Sequence, residues 1–297
     1  MAESKKVMAL GFFDGIHIGH AALMQRAKAA AAALGAEPAV LTFDIHPDTF
    51  VRGENVELIN SAADRRYILS RWFGIENVYF VHFNEQTMRM HWQDFIENII
   101  DTYNAVHFVV GHDFCFGYKG QGTAKVLAEY CREHGLGCDI IEPVKRDGVV
   151  VSSTIIRSLL SEGEMAKANE YLGHPHVLTD SVRTGYRIGR STLDAPTINM
   201  VFSEGVLIPR RGVYATRVVL PEGEFDAVTN IGVRPTFGGD RVTVETNILD
   251  YSADLYGKMV SVLFVDFIRP ERKFDSAAEL MAQIKRDTRT ARDILAK

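Results

Sequence analysis

The sequence has little cysteine, no excess of positive charge and no long apolar run, and each shortage excludes a class of protein. The three cysteines, Cys115, Cys131 and Cys138, are odd in number and show no CxxC spacing. Neither a disulfide framework nor a structural zinc site therefore has a basis here, and buried free thiols are expected. Lysine and arginine number 33 against 38 acidic residues, a formal net charge of -5. Without a basic footprint the chain is not expected to bind nucleic acid. An anionic substrate must then be held by local charges and backbone donors. No run approaches the about 18 apolar residues of a membrane span, and the apolar stretch of MAESKKVMALGFF is short even for a signal peptide. The expectation is a cytosolic protein without a membrane partner; oligomeric state is not legible.

What is present is the composition of a globular protein, with 297 residues, enough for two domains. The first half alternates apolar runs with amphipathic stretches. Val7 to Leu10, Ala39 to Phe43, Val78 to Phe83, Val106 to Val110 and Cys138 to Ile141 read as strands. Between them, Gly19 to Leu34, Ser61 to Phe73, His91 to Tyr103 and Thr123 to His134 read as helices, three of which stop at a glycine. This is an α/β pattern, a doubly wound Rossmann-like domain. Near residue 178 the pattern changes to strand-like runs such as GVYATRVVL and MVSVLFVDFI divided by turn residues, the signature of a small antiparallel β-barrel. Ser276 followed by Glu279 is a capping box that opens a C-terminal helix from about Ala277 to Leu295. Domains of 1–178 and 179–297 are expected.

In doubly wound sheets ligands sit beyond the carboxyl ends of the strands, which directs attention to three segments. GFFDGIHIGH follows the first strand, with His17 and His20 three apart near a helix start, where backbone N–H groups attract phosphate. Gly11, Gly15 and Gly19 remove side chains where a nucleotide would approach. Two partly exposed histidines or an i,i+3 metal pair are the other readings, and the glycine setting favours phosphate. GHDFCFGYKGQGT follows the fourth strand; Phe114, Phe116 and Tyr118 can stack on a planar ring or equally well fill the core. In VSSTIIRSLL, Ser152, Ser153 and Thr154 can cap a helix that carries Arg157 one turn on, a guanidinium suited to phosphate oxygens.

Taken in order, GxFDGxHxGH, GxDFxFG and SSTxIR resemble the adenylyltransferase module of the prokaryotic bifunctional riboflavin kinase and FAD synthetase family. TFDIHPD at 42–48 matches the family's TFxxHP segment. The resemblance implies ATP binding by Gly11, Phe12, Asp14, Gly19, Ser153 and Thr154, catalytic roles for His17, His20 and Arg157, and flavin contacts from Asp113 and Phe116. The second half resembles the riboflavin kinase module along almost its full length. There it implies a glycine-rich flap over ATP with Gly185, Gly189 and Arg190, and a PTxN motif whose Thr197 and Asn199 alternate on a strand. Both are expected to point inward and hold Mg2+.

Glu245 is expected to be the general base that takes the proton of a primary alcohol, and Arg292 to lie near the flavin. Taken alone, Glu245 reads first as a solvated strand glutamate, and it is the resemblance that favours the base. The implied substrates are ATP, riboflavin and FMN, giving FMN and then FAD. Where the family usually reads GRTLGFPTAN this chain has GRSTLDAPTIN, with Asp194 and Ala195 replacing glycine and an aromatic, and Asn247 stands in place of the usual histidine. The alternative is therefore a monofunctional FAD synthetase with a degenerate, flavin-binding kinase module. A flavin-binding store and a different nucleotidylyltransferase are the remaining rivals.

Overall fold

The computed structural model describes residues 4–51, 53, 56–183, 197–236 and 239–297. Contacts divide the chain into two compact units, Met1–Leu58 with Arg65–Ser152, and Ile59–Asp64 with Ser153–Lys297.

The first unit alternates strands and helices in the expected manner. Its elements run β1 (Lys6–Leu10), α1 (Ile18–Leu34), β2 (Glu37–Phe43), α2 (Pro47–Val51), α3 (Ala62–Phe73), β3 (Asn77–Val81), α4 (Glu85–Arg89), α5 (Trp92–Tyr103) and β4 (Ala105–Gly111). A short hairpin of β5 (Cys115–Phe116) and β6 (Gly122–Thr123) leads to α6 (Ala124–Glu133) and β7 (Gly137–Ile141). A second hairpin, β8 (Lys145–Arg146) and β9 (Val149–Val150), follows. Five strands pair in parallel in the order β3-β2-β1-β4-β7. Every residue of the central β1 is buried, as a strand covered on both faces requires. The chain winds outward through β1, β2 and β3, then returns to lay β4 on the other side of β1. The strand order therefore reverses between β1 and β4, where such sheets open a crevice for ligands.

The second unit holds α7 (Ser153–Glu162), α8 (Met165–Leu172), β10 (His176–Ser181), β11 (Thr197–Met200), β12 (Gly212–Leu220), β13 (Gly223–Thr236), β14 (Gly239–Ile248), β15 (Met259–Arg269) and α9 (Ala277–Leu295). Six strands pair in the order β10-β15-β12-β13-β14-β11, all antiparallel. The two edges are tied by an antiparallel bridge in which the Arg183 N–H donates to Asn199 O at 2.8 Å. The sheet thus curls on itself, as the barrel expectation requires.

Alternation along the strands separates two faces. The inner one carries Tyr214, Thr216, Val218, Ala227, Thr229, Val244, Thr246, Ile248 and Phe264, all at most 1% exposed. Three of these are hydroxyls in a chain, Thr216 to Thr229 at 2.8 Å and Thr229 to Thr246 at 2.9 Å, so the polar atoms satisfy one another.

On the outer face α9 packs Ala291 and Leu295 against Ala215, Val228 and Val265. An Arg269–Asp287 ion pair at 2.7 Å fastens the same helix. Ser276 caps it by accepting from the Glu279 N–H at 3.2 Å, and Glu279 reaches back to the Asp275 N–H rather than to that of Ser276. Helix α8 joins the sheet through Asn169, which donates to Phe264 O and Val265 O and accepts from the His176 N–H.

Candidate functional site

The GFFDGIHIGH loop leaves β1 at the reversal of strand order. It turns through three left-handed residues, Phe13 (φ 53°), Gly15 (φ 80°) and Ile16 (φ 42°), before α1 begins. Two of these carry side chains, and each left-handed side-chain residue costs about 1–2 kcal/mol, so the turn persists only because its surroundings hold it. Phe13 is 2% exposed and Ile16 is fully buried. The turn brings Asp14 into the interior and places His17 as the N-cap of α1, its Nδ1 accepting from the His20 N–H at 3.3 Å.

The rings of His17 and His20 stack at 3.7 Å, and Phe13 meets His20 edge-on at 5.2 Å. A Cβ on Gly19 would lie 3.0 Å from the His17 ring, so glycine leaves that ring its place. Burial, with the charge of His17 beside it, holds the His20 pKa well below its ordinary value. His20 is therefore a neutral imidazole near pH 7. Its Nδ1 is buried without a hydrogen bond, a polar atom available to a ligand. The bland reading of two partly exposed histidines does not describe this pair: His17 is 7% exposed and its ring is committed to the stack.

The TFDIHPD segment supports this loop. The Thr42 hydroxyl donates to Phe12 O at 2.6 Å and the His46 ring meets Phe12 edge-on at 4.5 Å. Asp44 takes hydrogen bonds from His82 at 2.7 Å and from the Phe83 N–H. Burial raises its pKa, and these bonds outweigh burial and leave it lowered.

The loop after β4 lies on the other side of the crevice. Gly111 accepts from the Phe114 N–H in a tight turn that leaves Asp113 exposed. Phe116 is 7% exposed and packs among Phe95, Trp92 and Phe114 in the core. The half-buried ring on this loop is Phe114, stacked on Phe116 at 5.2 Å. Gly117, at φ 72°, lies against the backbone of Trp92, where a Cβ would come within 2.6 Å. Tyr118 N–H donates to Met90 O at 2.8 Å, and the two contacts fix the loop.

In the second unit, Ser153 opens α7 as the SSTxIR motif suggests, with Thr154 exposed and Arg157 half-buried three residues on. On β11 and β14 the register aligns Thr197 with Asn247 and Asn199 with Glu245, and β13 places Asn230 opposite Glu245. Asn199, Glu245, Asn247 and Asn230 are half-buried and Thr197 is exposed. The inward expectation for Thr197 and Asn199 is corrected: Ile198 at 4% and Met200 at 1% fill the interior, and the two polar residues share the opposite face. Arg292 on α9 pairs with Asp250 at the end of β14, at 2.7 Å.

Gly185, Gly189 and Arg190, together with Asp194 and Ala195, lie outside the described residues. Glu271 is a site neighbour that sequence reading missed. Its carboxylate occupies the space a Cβ on Gly232 would need, a space the Asn230 amide also borders, and only the glycine in TNIGVRP hinted at a close approach. Among the described residues no group of three or more His, Cys, Asp or Glu side chains is arranged to hold a metal.

Comparison with known proteins covers both units. The family model described as FAD synthetase matches residues 1–155 and that described as riboflavin kinase matches residues 172–295. A bifunctional riboflavin kinase/FMN adenylyltransferase of Listeria monocytogenes is 34% identical over 99% of this chain and 94% of its own length. Those of Bacillus subtilis and Escherichia coli are 34% and 33% identical, each over 97% of this chain and 92% of their own. A crystal structure from Streptococcus pneumoniae, described as a macrolide-efflux protein, superposes with a TM-score of 0.80 at 32% identity, covering 98% of this chain and 95% of that one. That description is of that protein; among the described residues of this chain no helix is long and apolar enough to cross a membrane. With both halves matched in series and near full-length relatives sharing them, the chain belongs to the bifunctional riboflavin kinase/FMN adenylyltransferase family.

Proposed function

We propose that this protein phosphorylates riboflavin to FMN with ATP and then adenylylates FMN with a second ATP, giving FAD and pyrophosphate. The observation that carries the reading is the stacked His17–His20 pair at the start of α1, with His20 held neutral, set at the reversal of strand order and followed in the chain by a segment that matches the riboflavin kinase family model. The match over residues 172–295 favours an active kinase over a degenerate flavin-binding module. The partners are small molecules, and the two activities divide between 1–178 and 179–297.

In the kinase step Glu245 takes the proton of the ribityl hydroxyl as that oxygen attacks the γ-phosphorus of ATP, and ADP leaves. The hydroxyl of Thr197 and the amide oxygen of Asn199 are hard donors on one face beside Glu245, which suits Mg2+, an ion that keeps most of its coordination for water and phosphate. When bound, Mg2+ neutralises charge on the ATP phosphates. Gly185, Gly189 and Arg190 are assigned to the flap over that nucleotide, and Arg292 to the flavin.

In the second step an oxygen of the FMN phosphate attacks the α-phosphorus of ATP, and the bond to the β-phosphate breaks with release of pyrophosphate. No covalent enzyme intermediate is needed. His17 and His20, with the loop atoms of Gly11, Phe12, Asp14 and Gly19, bind and orient the phosphates. Ser153, Thr154 and Arg157 are assigned by their motif to the triphosphate and to the charge developing on pyrophosphate. Asp113 and the Phe114 ring, backed by Phe116, are assigned to FMN.

Chromatography of purified protein incubated with riboflavin, ATP and Mg2+, beside a second tube given FMN, tests the assignment. FMN and FAD are expected in the first and FAD with pyrophosphate in the second. Unconverted FMN in the second tube defeats the adenylylation reading, and unconverted riboflavin in the first revives the monofunctional alternative.

A further inference from the structure

Arg65 belongs to none of the motifs above, yet it is among the largest fully buried side chains of the molecule, at 1% exposure. Burying a guanidinium is costly unless its surroundings are built for it. Here they are built around one peptide of the phosphate-binding loop. From the first turn of α3, Arg65 donates through Nη1 to Phe12 O at 3.0 Å and to the Thr42 hydroxyl at 3.0 Å. Thr42 in turn donates to the same Phe12 oxygen. The guanidinium carbon also lies 5.2 Å from the centre of the Phe12 ring and 5.0 Å from that of Phe80 on β3, the distance of a cation–π contact.

Arg65 thereby engages both the carbonyl and the ring of Phe12, which Thr42 and His46 also hold. The next residue, Phe13, is the first left-handed one, and its ring buttresses His20, which stacks on His17. The line of contact from Arg65 to the imidazoles is Phe12, Phe13, His20, His17. The strained turn has to be over-determined by its surroundings, and the doubly hydrogen-bonded Phe12 carbonyl is where the described structure supplies that.

We infer that Arg65 is a positioning residue for adenylyl transfer, locking the Phe12–Phe13 peptide and through it the His17–His20 pair. It acts through the loop and does not itself touch the nucleotide. The inference rests on the adenylylation reading above and deepens it. A lysine at this position keeps a positive charge but lacks the planar guanidinium that lies against the Phe12 and Phe80 rings while its Nη1 bonds Phe12 O and the Thr42 hydroxyl. A small displacement of phosphate-binding groups lowers transfer steeply, because the chemistry depends on in-line alignment.

The test uses the full-length protein and its kinase activity as an internal measure of folded enzyme. Arg65→Lys is expected to lower kcat/KM for FMN adenylylation by about ten- to a hundredfold, with a raised KM for ATP, while riboflavin phosphorylation by the same preparation stays within about twofold. A merely structural residue would instead reduce both activities in parallel with KM for ATP unchanged, and that result would overturn the inference, as would wild-type FAD formation. Should Arg65→Lys fail to fold, Thr42→Val removes only the hydroxyl link. It is expected to lower the same parameter by about five- to a hundredfold, the worth of the two hydrogen bonds this hydroxyl makes, and unchanged kinetics would overturn the inference. A wild-type enzyme inert towards FMN would defeat the functional reading itself, a different failure.

Discussion

The GFFDGIHIGH loop of the first unit and the polar face of β11 and β14 in the second are built by opposite means. The loop is irregular backbone made rigid from behind: left-handed residues, an imidazole cap and a buried arginine hold two histidines in place. The barrel face is regular backbone, and its residues are gathered by strand register alone, Asn199 beside Glu245 and Glu245 beside Asn230. In the loop, substitutions that never touch substrate should matter through packing. On the barrel face the effect of a substitution should depend on which side of the strand it falls.

Four measurements sharpen or break that contrast. The largest effect is expected from Glu245→Gln, which should lower FMN formation by about a thousandfold, within the range for losing a general base. FAD formation from supplied FMN should persist, and a joint loss in a chromatographic assay would remove the division into two sites. Next, Arg157→Ala should cost about 2–4 kcal/mol of transition-state stabilisation in FMN adenylylation, the value of one preorganised donor, with riboflavin phosphorylation kept. Steady-state rates with FMN as acceptor decide it.

The third concerns stability in the second unit. Asp64 is 1% exposed and accepts from Ser61 and from the Thr179 N–H; burial outweighs these bonds and pushes its pKa up to about 6. A folded-state value above the ordinary one near 4 means the folded form holds the proton more tightly. The associated stability is complete below about pH 4 and is lost as pH rises through about 6, at most about 3 kcal/mol. Denaturant titrations from pH 4 to 7 should show that fall, flattened in Asp64→Asn. The smallest effect is expected from Gly19→Ala, whose Cβ would press on the His17 ring and lower kcat/KM for FMN adenylylation by about tenfold at unchanged kinase activity.

Much of the architecture was legible because it follows from periodicity. The five parallel strands, the antiparallel region and the span of α9 all come from apolar spacing and end signals such as Gly35, which caps α1 in the left-handed conformation. Less legible was anything decided by tertiary contacts. The helices α7 and α8 carry an ordinary amphipathic pattern, and nothing local says that Asn169 will bond to β15. Strand alternation correctly put Thr197 and Asn199 on one face, but the pattern alone does not say which face is inside; the apolar Ile198 and Met200 decide it by claiming the core. The aromatic GHDFCFG segment had two readings, and Phe116 went to the core while Phe114 stayed half-buried. Left-handed Phe13 and Ile16 gave no sequence signal, since neither residue type favours that conformation.

The cap at the start of α1 also decides where a proton sits. Because the His17 Nδ1 receives the His20 amide hydrogen, that nitrogen must be bare and any hydrogen on the ring must be at Nε2. The main chain thus selects one tautomer before any substrate arrives.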